Sequence, residues 1–249
     1  KIKIVKTDAG ESFSRTIDKD YPYFLDTFNI IARIENQEEE GIKESHYEQK
    51  LPDGIEAVGQ PEVTKDRNGR ESTMTYKNIQ PLKTISWRGL VREGEAIVVT
   101  QKVKVTAAAS AEPTILPEAT YTYTYRDLPF EKTEEEREIQ IGDPLSIEIT
   151  EEERTLGVNY GDRIKYEIKI RNKHEEEYIH IDRLAIQLSE TTIIDFKPNE
   201  LKEDDESGEL AWDGKLAAGQ GKTFPLTLIL KGTDNTIKVK SEHSYRGLE

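Results

Sequence analysis

Two long segments of this chain are written twice, and that duplication constrains its fold more than any other feature. Phe28–Asn36 returns as Ile164–Asn172, and Ile85–Gly94 returns as Leu210–Gly219. Each copy then reaches a Tyr-Arg pair, at Tyr125-Arg126 and Tyr245-Arg246. The two tryptophans, Trp87 and Trp212, fall at matching places. A repeat of this length is a whole domain and not one turn of a solenoid. A chain of 249 residues holds two such domains with cores that need no metal or disulfide.

The pattern inside each copy has period two. Ile164, Tyr166, Ile168 and Ile170 alternate with charged residues, as Phe28, Ile30, Ala32 and Ile34 alternate in the first copy. Such alternation buries one face of a strand and wets the other. Tyr121, Tyr123 and Tyr125 alternate with threonines, both strand-favouring types. Ile179 and Ile181 are followed out of phase by Leu184, Ile186 and Leu188, which predicts a bulge or short turn at Asp182-Arg183. Pro52-Asp53-Gly54, Arg67-Asn68-Gly69, Glu206-Ser207-Gly208 and Asp234-Asn235 supply turns at short intervals. No stretch carries a convincing helical period. The expected fold class is therefore all-β, two tandem Ig-like β-sandwiches.

The domains are expected at residues 1–132 and 139–249, joined by a charged linker around Phe130–Glu138 that leads into the strand Glu138–Ile141. Lys1-Ile2-Lys3-Ile4-Val5 is expected as the first strand of copy one, matching Leu145–Ile149 in copy two. Asn36 to Trp87 spans 51 positions against 40 from Asn172 to Trp212, which predicts an extra hairpin around Lys65–Arg70. A second excess is the Ala- and Pro-containing loop Ala107–Pro117. The chain opens on Lys1 and closes on Leu248-Glu249, as a piece cut from a longer protein would.

Charge and residue types narrow the chemistry. A net charge of −14 repels phosphates, so neither nucleic acid nor an anionic membrane surface is an expected partner. The longest apolar run, Phe224–Leu230, is far shorter than a membrane span. With no cysteine there are no disulfides, thiolate ligands or thiol nucleophiles. His174 and His180 flank an acidic run but are six positions apart, so the i, i+4 pairing of a zinc-protease helix is not met. The acidic loop Lys202–Glu209 lacks the Asp-x-Asp-x-Asp order of a Ca²⁺ loop and reads as a solvated hairpin tip. Lys169 and Asn172 are the residues from which an internal isopeptide bond would be drawn, although alternation turns Lys169 to water. No nucleophile elbow, phosphate loop or dinucleotide fingerprint is present. No catalytic, cofactor-binding or metal-binding residue is assigned, and no cofactor or enzyme activity is expected. Trp87 and Trp212 are expected to pack under glycine turns, with Gly94 and Gly219 supplying the turn conformation.

Four marks occur in order: the strand Asp162–Asn172 and its looser counterpart Asp26–Asn36; Leu51-Pro52-Asp53-Gly54, degraded to Leu188–Thr191; the Trp segment; and a closing pair of apolar strands. With these marks each half resembles the conserved-repeat Ig-like domain of bacterial and archaeal surface proteins known as domain of unknown function eleven. The resemblance covers nearly the whole chain and carries no catalytic residues. It implies a stalk or adhesive module of a larger cell-surface or secreted protein, whose partners are further repeats of that protein. Two other roles are weighed: an adhesin module binding a glycan, host or protein ligand at Ala107–Pro117 or the extra hairpin, and a strand-exchanging filament subunit built on Lys1–Val5. The acidic balance and charged linker predict a monomer.

Overall fold

A computed structural model describes residues 11–38, 40–67, 70–75, 83–106, 112–151, 160–204, 207–232 and 236–245. Expectations for Lys1–Val5, the Asn68-Gly69 turn, residues 107–111, Asp234-Asn235 and Leu248-Glu249 lie outside these residues. The chain divides into two compact units, Lys1–Gly142 and Asp143–Glu249. Every regular element among the described residues is a β-strand.

The first unit contains β1 (Glu11–Ile17), β2 (Thr27–Asn36), β3 (Ile42–Lys50), β4 (Ile55–Ala57), β5 (Glu62–Arg67) and β6 (Arg70–Thr75). After these come β7 (Thr84–Val91), β8 (Glu95–Val105), β9 (Thr114–Leu116), β10 (Ala119–Tyr125), β11 (Leu128–Glu134) and β12 (Arg137–Ile139). One sheet has the order β1-β2-β8-β5-β6, with β4 also beside β8; the facing sheet is β11-β10-β3-β7. Between them lies one core, which includes Phe28, Ile30, Val99, Tyr47, Trp87 and Tyr121. Phe13 of β1 reaches Tyr47 of β3 across it at 5.9 Å between ring centres.

The second unit contains β13 (Leu145–Glu151), β14 (Arg163–Asn172), β15 (Ile179–Leu188) and β16 (Thr192–Phe196). It continues with β17 (Lys202–Glu203), β18 (Leu210–Leu216), β19 (Gly221–Leu230) and β20 (Ile237–Tyr245). Its sheets are β13-β14-β19-β16 and β17-β18-β15-β20. Trp212 of β18 meets Phe224 of β19 across the core at 5.4 Å. Both units are Ig-like β-sandwiches built on alternating strands: β14 buries every second residue, Ile164 through Asn172, as the sequence pattern demands.

The repeat holds at the level of register. Ile34 lies opposite Ile97 as Ile170 lies opposite Lys222, and Trp87 opposite Tyr47 as Trp212 opposite Leu184. The bulge expected at Asp182-Arg183 is present, where the pairing of β15 shifts between Ile181 and Leu184. The extra hairpin is β5–β6.

Three expectations are corrected. The first strand of copy one is Glu11–Ile17, not Lys1–Val5: Glu11 pairs with Asn36 as Leu145 pairs with Asn172. The charged stretch after Tyr125 is not a linker, because Leu128–Glu134 folds back on β10 as a hairpin strand. Glu138–Ile141 does not open the second sandwich. Arg137–Ile139 pairs with β9, and Ile139 and Ile141 are buried in the first core.

Candidate functional site

The most strongly built polar sites are two copies of one corner. Asn36 and Asn172 each end the second strand of their sandwich and are fully buried. The Asn172 Nδ2 donates to the carbonyls of Glu177 at 2.8 Å and of Leu216 and Ala217 at 3.1 Å, while its Oδ1 accepts from the His174 N–H. Asn36 repeats this with the Glu40 and Val91 carbonyls and the Glu38 N–H. A buried amide so employed closes the strand-to-loop corner and satisfies backbone groups that would otherwise be orphaned. His174 belongs to the second corner. It is buried, and its Nδ1 accepts from the Glu176 and Glu177 N–H groups. His180 is paired with Asp182 instead, so the two histidines do different work.

Each tryptophan covers a glycine on its own strand. A Cβ at Gly89 would lie 2.5 Å from the Trp87 Cζ2, and one at Gly214 2.4 Å from the Trp212 Cζ2. Trp-x-Gly thus places a ring and the bare backbone it needs on one face of β7 and β18, rather than under a turn. Trp87 is buried, whereas Trp212 is half-buried against its core. Gly94 and Gly219 do hold the left-handed conformation expected of them, with φ of 61° and 69°.

The additions to copy one are structural where they are described. Arg15 is buried, and its guanidinium donates to the Gln49 side chain and to the carbonyls of Pro117 and Glu135. Burial pushes the Arg15 pKa below its ordinary value. One side chain therefore ties β1 and β3 to the end of the Ala107–Pro117 loop and to the turn after β11. Leu116 at that loop's end is buried in the first core. Burial likewise raises the Tyr47 phenol, whose ring lies inside the same layer.

The acidic loop forms the tip of the β17–β18 hairpin. Arg183, half-buried at the bulge of β15, reaches Asp204 at 2.8 Å and Glu209 at 3.1 Å. Those two hydrogen-bonded carboxylates raise the Arg183 pKa. Among the described residues no group of three or more His, Asp or Glu side chains is placed to hold one metal ion. Lys169 and Asn172 lie on opposite faces of β14. Lys169 is exposed and bridged to Glu167 at 2.9 Å, so the pair is not set for an isopeptide bond. On the outer face of β14 and β19 a hollow of about 470 Å³ has Phe196, Pro225, Lys165 and Glu167 among its lining. A wider groove of about 880 Å³ follows β16, with Ile193, Phe196, Glu190 and Glu203 along it. Sequence pattern did not point to either.

No family model matches the chain, and no curated protein matches it. The resemblance read from its motifs rests on those residues alone. Solved structures do show likeness. The major pilin subunit BcpA of Bacillus cereus, in its D312A form, aligns over 96% of this chain and 64% of its own, at 11% identity and a TM-score of 0.42. A red sea bream transglutaminase aligns over 94% of this chain and 29% of its own, at 10% identity and a TM-score of 0.40. The collagen adhesin CNA of S. aureus covers 95% and is itself covered over 87%, at 6% identity and a TM-score of 0.28. This chain therefore spans less than two thirds of the pilin it resembles. Likeness at these identities assigns neither activity nor ligand.

Proposed function

We propose that the chain is a structural spacer within a larger cell-surface or secreted protein, made of tandem sandwiches and without enzymatic activity. The observation that carries this reading is the corner built twice: the same buried asparagine, in the same register, closes the same strand end in both copies. The polar groups sequestered from water at these sites bind backbone carbonyls and fix the path of the chain, as Arg15 does elsewhere in the first unit. Buried polar groups spent in this way serve rigidity and uniqueness of fold. Duplicated rigid domains suit a part whose task is reach and load rather than turnover.

The test is location. Antibodies raised against this chain are expected to label intact, unpermeabilised cells that make the parent protein, with the label lost after mild external proteolysis. Labelling that requires permeabilisation would remove the spacer reading.

A further inference from the structure

The two sheets of the second sandwich end on the same flank. Among the described residues β16 is the last strand of one sheet, beside β19, and the two-residue β17 is the last strand of the other, beside β18. In copy one the matching flank carries more. There β8 stands where β19 does, β5 pairs with it, and β6 pairs with β5 in turn.

The groove of about 880 Å³ runs between these edges, from β16 to Glu203 of β17 and the hairpin tip at Ser207-Gly208. Its floor is the side of the core. Leu188 and Ile194 line it and pack against the second core, yet both are only half-buried. At its mouth Ile193 is 39% and Phe196 52% exposed. The main chain of β16 is open here too. The Thr191 carbonyl accepts from the Lys231 N–H at 2.6 Å, so the antiparallel ladder turns Ile193 toward β19 and the main-chain groups of Thr192 and Ile194 outward. The Thr192 N–H is taken by the Ser189 carbonyl at 3.1 Å. That leaves the Thr192 carbonyl and both groups of Ile194 on the edge that borders the groove. An open edge beside uncovered aliphatic surface is a template for an incoming strand.

Charge selects the strand. Of the charged side chains along the groove, Asp195 is bridged to Arg163 at 3.3 Å, and the Lys197 ammonium donates to the Leu201 carbonyl at 2.7 Å. Glu190, at the β15–β16 turn, and Glu203, on β17, are exposed and meet no such partner among the described residues. We infer that this groove binds an extended peptide of a partner protein, basic and apolar at alternate positions, which pairs with the outer edge of β16. Its apolar side chains cover Leu188 and Ile194. Its lysines or arginines lay their stems along Ile193 and Phe196 and bring their charges to Glu190 and Glu203. The same two carboxylates turn away an acidic strand, and the net charge of −14 draws the basic one in. The groove thus gives a spacer a point of attachment for another protein.

The probe is the blocked peptide acetyl-Thr-Lys-Val-Lys-Val-Lys-Thr-amide, titrated against the full chain by fluorescence anisotropy and by amide NMR. Saturable binding is expected, with the Ile194 amide signal among those that move. Glu190→Lys combined with Glu203→Lys, both at exposed positions, is expected to weaken it by about tenfold or more while leaving thermal unfolding in place. The peptide with glutamate for each lysine should not bind. Two N-methylated peptides separate strand pairing from plain charge attraction, because alternate amides of an added strand point toward β16 and away from it. Methylation of the valine amides in one, and of the lysine amides in the other, is expected to abolish binding in one peptide and spare it in the other. Absence of binding, equal behaviour of the two methylated peptides, an unchanged affinity in the doubly substituted chain, or signal shifts confined to the first unit would each overturn the inference. Cell-surface labelling decides the spacer reading separately.

Discussion

At Gly89 and Gly214 a single methyl group is the whole question. Each glycine lies under the ring of the tryptophan two residues before it, and a Cβ would meet that ring at 2.5 or 2.4 Å. Gly89→Ala and Gly214→Ala are expected to cost about 1–3 kcal/mol each by overpacking. A second substitution, Trp→Leu at the covering residue, should remove most of the alanine's added penalty, read as a coupling energy in a double-mutant cycle. Asn172→Ala leaves the Glu177, Leu216 and Ala217 carbonyls without their donor. It should cost about 1–3 kcal/mol in denaturant unfolding, with Asn36→Ala acting likewise on the first unit. His46 supplies a pH dependence. Burial, and then the positive Arg88, hold its pKa below the usual 6.5, partly offset by Glu48. Between the folded and unfolded values the unfolded chain binds more protons, so this stabilisation is complete above 6.5 and is lost as pH falls through the window beneath it. His46→Gln should flatten the acid-side slope of stability against pH; an unchanged slope would show that other groups set it.

Among elements, the turn between β10 and β11 departs from local preference. Arg126 and Asp127 hold φ of 49° and 60°, the two-residue hairpin geometry that Asn-Gly adopts readily. Arg126→Asn with Asp127→Gly is expected to raise the unfolding midpoint of the first unit, by about 1 kcal/mol or less. This turn also explains what sequence reading missed. Without an Asn-Gly or Asp-Gly signal, Arg126-Asp127 did not announce a hairpin, and the Glu-rich Leu128–Glu134 resembled a linker because only Phe130 of its inward row is strongly apolar. By contrast the bulge in β15 was legible, since a one-residue slip would have turned Leu184 and Ile186 out of the core. The β5–β6 hairpin was legible from length difference alone. The Asn corners were visible only as repeated letters; their role depends on carbonyls as far as 55 positions away in the chain.

At the scale of the molecule there are two separate cores, one in each unit. Substitutions are therefore expected to act locally: Ile139→Ala should cost the first unit about 2–5 kcal/mol and leave the second unit's thermal transition in place. A loss shared equally between the two transitions would show that the cores are coupled. The Arg15 clamp adds a consequence for biosynthesis. Its partners are Gln49, Pro117 and Glu135, and the core it covers is sealed by Ile139 and Ile141. A chain emerging from the ribosome at about 5–20 residues per second thus offers Arg15 its last carbonyl only after 120 further residues have been added. The first sandwich must be almost entirely synthesised before its earliest strand is locked, and any chaperone that attends this protein meets an unsealed β1 edge throughout that interval.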